Sequence, residues 1–244
     1  MRVTIGKYID RDSILHSLDP RCKILCLMVL TTSIFFVGNL WEYSFPASLI
    51  LYSIFLSRID VWSYVRGVKS IMFLVLFATV VQFFYGGLEE AVYIFLRLVL
   101  ILFAAELLTF TTKPSLFSYA IEDIMVFLGF PRKVSQEFSM MMNIAMRFAP
   151  IMVEEADRIA KAQISRGAPL NSEKMGKRLK ALVSVAVPLL SASLRRAEEL
   201  SIAMEARRYS PEVLRTRYVE LSWSKKDTAA ISLAAVVLAL VILI

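Results

Sequence analysis

Five stretches of this 244-residue chain are apolar over close to the length a membrane-crossing helix needs: residues 24–41, 43–57, 70–86, 91–111 and 228–244. The hydrocarbon core of a bilayer is spanned by about 20 mostly apolar residues, fewer where flanking groups snorkel. The second stretch is the shortest and contains Pro46. Apolar residues make up 57% of the chain, above the roughly 45–50% of soluble domains. Together with a mean hydropathy of +0.62, this makes a bilayer the expected solvent. No cleavable signal is read in residues 1–23, which are polar, so the first apolar stretch is expected to remain.

The net charge of +7 could serve nucleic acid, lipid headgroups or acidic partners, and its placement decides among them. Basic residues are retained on the cytoplasmic side during insertion. Five Lys and Arg precede the first stretch, three lie in 58–69 and nineteen in 113–226, whereas the turns at 38–42 and 86–90 carry none. This distribution predicts five spans in the cytoplasmic membrane, with the amino terminus inside and the carboxyl terminus outside. It accounts for the charge without nucleic acid.

The segment 113–226 is too long for an ordinary loop and too polar to span. Residues 115–128 suit a short interfacial helix. A long helix is predicted from Pro131 to Arg166, stopped by Gly167 and Pro169, and a second over 172–207, stopped before Pro211. The first would be about 50 Å long. Leu179, Leu182, Val183, Ala186, Leu190, Leu194, Ala197, Leu200 and Met204 recur every three or four residues on the second, a stripe that must pack against something. Pro150 and Pro188 are expected to kink the two helices. The fold class is an all-α membrane protein: helices 1–4 in residues 1–113, a cytoplasmic platform of long amphipathic helices in 114–227, and a final span in 228–244.

Both long helices end on an arginine among small residues: Ser165-Arg166-Gly167, and Ala206-Arg207-Arg208. A cation in the last helical turn interacts favourably with the dipole, which alone could account for each. The pairing suggests docking, because arginine's planar fork suits a carboxylate-lined groove. Met140, Met141, Met142, Met146 and Met152 cluster along the first helix, either as core filling or as an adaptable partner surface. Arg97 and Glu106 lie in the fourth stretch, where ionisable groups are costly. Nine residues apart, they fall on opposite helix faces, which favours partners on neighbouring helices over a transport path. Cys22 and Cys26 read as small apolar residues, and His16 lacks clustered ligands. There is no phosphate-binding G-x-x-x-x-G-K-[ST] loop, no metal-ligand cluster and no nucleophile motif.

Several motifs together resemble one family. They are Gly6, Tyr8, Ser13, His16, Leu18-Asp19-Pro20-Arg21 with Lys23, Thr111-Thr112-Lys113-Pro114, Pro131, Arg147-Phe148-Ala149-Pro150 with Glu154 or Glu155, Gln163 through Gly167, and Ala203-Met204-Glu205-Ala206-Arg207. In this order they resemble the transmembrane, or T, component of energy-coupling factor transporters. The resemblance implies a non-catalytic coupling subunit of a vitamin or metal-ion importer. It further implies two ABC ATPase partners holding the ATP, docked at Arg166 and Arg207, and one substrate-binding membrane subunit. No cofactor is implied in this chain. Ser165 and Arg208 stand where that family's Ala-Arg-Gly pattern has alanine and glycine. The alternatives are a conventional ABC permease, to whose coupling loop Glu154-Glu155-Ala156 is similar, and a membrane enzyme, for which catalytic residues are lacking.

Overall fold

The computed structural model describes residues 8–169, 172, 174–210, 213 and 221–243. Its helices are α1 Ile14–Ser17, α2 Pro20–Phe36, α3 Ser44–Ser57, α4 Val61–Thr111, α5 Pro114–Phe127, α6 Arg132–Ser165, α7 Met175–Ala206 and α8 Lys225–Leu243, with a 3₁₀ turn at Leu40–Tyr43. No strand occurs among the described residues. The chain divides into two compact units. One comprises Gly6–Ile124 and Tyr218–Ile244, and the other comprises Met1–Ile5 and Met125–Arg217.

In the first unit α2 packs on α8 and α4, and α3 packs on α4 and α8. The core runs through Leu30, Ile34, Ile50, Tyr64, Phe110 and Ala234. Local chemistry sets the helix starts. Asp19 caps α2, accepting from the Arg21 N–H at 2.8 Å, with Pro20 in the first turn, and Asp60 caps α4 through the Trp62 N–H. The helix expected over 24–41 ends sooner, at Phe36. There the Glu42 carboxylate takes the Gly38 N–H at 2.8 Å and the Asn39 amide at 2.6 Å, which turns the chain and leaves Trp41 in the 3₁₀ segment.

The third and fourth expected spans are one element. At 51 residues α4 would be about 77 Å long if straight, more than two bilayer cores. Instead it breaks at Gly87, whose φ of 81° and ψ of −170° are essentially open only to glycine. Its halves fold back on each other. Tyr64 and Phe110, each 23 residues from Gly87, meet edge to face at 5.1 Å. No loop separates the halves, although one was expected at 86–90. Of the helices, α4 and α8 meet the length and hydropathy of a membrane span, while α2 and α3, at 17 and 14 residues, are shorter.

In the second unit α6 and α7 pack together. The helix expected to begin at Pro131 does so with Pro131 as its cap, and the second long helix starts at Met175 rather than at residue 172. Both run on through their internal prolines, Pro150 and Pro188.

Candidate functional site

The ends of α6 and α7 have the same backbone hydrogen bonds. After α6, the Gly167 N–H donates to the Ile164 carbonyl at 2.9 Å and the Ala168 N–H to Gln163 at 2.9 Å. After α7, the Arg208 N–H donates to Glu205 at 2.8 Å and the Tyr209 N–H to Met204 at 2.9 Å. Both are Schellman caps, in which one residue in the left-handed region lets two N–H groups turn back onto the last carbonyls. That residue is Gly167, at φ 84°, in one cap and Arg208, at φ 54°, in the other. A side chain at positive φ costs about 1 kcal/mol or more, so the second tip keeps the same geometry against a local penalty.

In each tip the arginine immediately before the left-handed residue, Arg166 or Arg207, is the helix C-cap. Ser165, Arg166, Gly167, Ala206, Arg207 and Arg208 are all exposed. The equivalence extends along the helices. The Ser193 hydroxyl on α7 meets the Met152 sulfur on α6 at 3.4 Å, fourteen residues before Arg207 and Arg166 respectively. Each tip thus projects about 21 Å of helix beyond that contact.

The five methionines differ in burial. Met152 touches α7, Met140 and Met142 are half-buried, and Met141 and Met146 are exposed. The apolar stripe of α7, expected to be packed, lies open: Leu179, Leu182, Val183, Leu190 and Leu194 are each at least 50% exposed. Ala181 is the buried residue of this helix, and Ser193 meets α6.

Arg97 and Glu106 find partners outside their own half-helix. The Arg97 guanidinium sits 5.4 Å from the centre of the Phe35 ring. The Glu106 carboxylate lies directly on the backbone of Gly67, where any Cβ would overlap it. Cys22 and Cys26 are unbridged, in keeping with an apolar reading.

Sequence reasoning missed a polar clasp. Asp227, fully buried, accepts from the Ser224 N–H at 2.7 Å through one oxygen and from the Asp19 N–H at 2.8 Å through the other. The first bond is half of a capping box on α8, and the second reaches the start of α2. Arg21 extends the clasp to Asp123 of α5 at 3.3 Å and to the Leu221 carbonyl at 2.9 Å. Lys23 donates to the Thr111 carbonyl at 2.8 Å.

Much of the amino-terminal motif gathers here. Tyr8 stacks edge-on against His16 and beneath Lys113, and its hydroxyl pKa is pushed up to about 12 by burial and by its bond to Asp10. The His16 pKa is lowered, chiefly by burial. Its Nε2 must donate to the Ile9 carbonyl, so in the neutral ring Nδ1 accepts from the Ser13 hydroxyl at 2.7 Å. Gly6, part of the same motif, lies outside the described residues, and those that are described contain no metal-binding cluster.

An apolar helical unit joined in one chain to a pair of long amphipathic helices with matched, exposed tips defines an all-α membrane protein. A family model described as cobalt transport protein matches residues 11–218. The Energy-coupling factor transporter transmembrane protein EcfT of Thermotoga maritima is 45% identical, over 98% of this chain and 93% of that protein. Those of Clostridium kluyveri and Staphylococcus aureus are 39% and 33% identical, over 97% and 95% of this chain and 94% and 93% of theirs. This chain belongs to the family of transmembrane components of energy-coupling factor transporters, and it is a membrane transport protein.

Proposed function

We propose that the chain couples ATP-driven motion of two ABC ATPase subunits to one separate substrate-binding membrane subunit, for uptake of a vitamin or metal ion. The carrying observation is the matched pair of Schellman tips, each presenting an exposed arginine equally far from the α6–α7 contact. Two equivalent tips in one chain suit two equivalent grooves. A conventional permease half usually offers one main coupling element. Ser165, Arg166 and Gly167 would dock one ATPase, and Ala206, Arg207 and Arg208 the other. The substrate-binding subunit would lie on the exposed α7 stripe together with Met141 and Met146, since an uncovered apolar stripe of this length invites a partner. In this reading ATP is held by the partners, and the chain has no cofactor and no catalytic activity of its own.

Replacing Arg166 and Arg207 together by Ala is expected to abolish co-purification with the ATPases, or to leave ATP hydrolysis running without uptake. Normal uptake by the double variant rejects the reading. In this proposal the amino terminus lies inside and the carboxyl terminus outside, with residues 114–227 as the cytoplasmic platform, in keeping with the distribution of Lys and Arg. A cysteine at Glu89, beside the Gly87 break, should then react with an impermeant thiol reagent in intact cells. Protection of that cysteine reverses the topology.

A further inference from the structure

A cavity of about 360 Å³ lies within the first unit among α1, α2, α3, the second half of α4 and α8. Leu27, Leu30, Ile50, Leu107, Ala230 and Ala234 are among its walls. At its rim Ile14, Tyr52 and Leu233 are 51%, 58% and 47% exposed, so it opens sideways between helices that face lipid. A second pocket, of about 300 Å³, shares Leu18, Lys23 and Thr111 with the first and is polar in lining. Arg11, Lys23 and Lys113 supply its cations, against Asp10 and Asp12.

Lys23 stands where the two spaces meet. It is only 8% exposed, its ammonium donates to the Thr111 carbonyl, and no carboxylate among the described residues forms an ion pair with it. Of the nearest acids, Asp227 accepts from two backbone N–H groups, and Asp19 meets the Arg21 N–H and guanidinium through one oxygen, while neither carboxylate comes within ion-pair distance of Lys23. A buried ammonium with no carboxylate in direct contact is costly, and an apolar cavity open to lipid does not hold water. A soluble anion would answer the first and leave the cavity empty. An uncharged hydrocarbon would fill the cavity and leave Lys23 unpaired.

We propose that this composite space binds one anionic phospholipid, with its phosphate at Lys23 between Arg11 and Lys113 and an acyl chain in the cavity between α2, α3 and α8. Membership in a membrane family supplies the lipid surroundings. The site needs neither the coupling tips nor the proposed orientation of the termini, so it can fail without them.

The test uses the intact transporter complex in detergent, following its thermal unfolding on titration with dioleoylphosphatidylglycerol, dioleoylphosphatidylcholine or inorganic phosphate. The anionic lipid is expected to raise the transition by several degrees, the zwitterionic lipid less and phosphate not at all. Lys23→Met should weaken the phosphatidylglycerol response about tenfold. Ala230→Phe, which fills the cavity from α8 without touching Lys23, should do the same and decides the matter if Lys23→Met does not fold. Equal responses to the two lipids, a matching response to phosphate alone, or an undiminished response in Ala230→Phe overturns the proposal.

Discussion

In the unit built from α1 to α4 and α8, polar side chains are drawn inward: Ser33 and Asp227 are fully buried, and Asp19 and Glu42 nearly so. In the α6–α7 pair the apolar side chains are turned outward, with Leu179 and Leu190 at 56% and 62% exposure. The contrast follows from the solvent each expects. Between helices in lipid, apolar burial gains little, so hydrogen bonds and close approach at small residues select the packing. In water the same leucines would normally be covered, and under the proposed function the open stripe is where another chain would lie.

The largest expected effect breaks the first half of this contrast. Asp227→Ala leaves the N–H groups of Asp19 and Ser224 without their acceptor, each at a cost of about 1–3 kcal/mol. We expect about 3 kcal/mol of destabilisation in chemical unfolding of the detergent-solubilised protein. A loss under about 1 kcal/mol would mean that the clasp does not hold α2 to α8. Next, Gly67→Ala should drive the flexible Glu106 carboxylate off the α4 backbone and lower stability by about 1 kcal/mol or less in the same unfolding measurement. A loss well above that would mean that the Glu106 carboxylate cannot move aside.

The smallest effects sharpen the comparison inside the lever pair. Gly167→Ala should destabilise the α6 tip by about 1 kcal/mol, while Arg208→Gly should stabilise the α7 tip by a similar or smaller amount. Amide hydrogen exchange at Ala168 and Tyr209 reads the two caps separately. Changes of the same sign would show that the caps are not equivalent.

Much of this contrast is legible in the residues alone. The apolar runs at 70–86 and 91–111 locate the two halves of α4 because length and hydropathy are local properties. That a single residue joins them was hidden, since Gly86-Gly87 reads equally well as part of a loop. The early end of α2 depends on one side chain, Glu42, folding back on Gly38. The arginine tips and their pairing are legible in the residues, but the shared cap geometry is not, because Arg208 occupies a position where glycine is the usual signal. Asp227 was unreadable for a different reason. Its partner, Asp19, lies 208 residues away, and no periodicity connects the two. The stripe on α7 is legible in its spacing, but what it packs against is not.

The break at Gly87 also has a kinematic meaning. A flexible loop between two helices has contour length to spare and absorbs sliding, whereas a joint one residue long has none. The two arms of α4 can swivel about that point but cannot slip past each other.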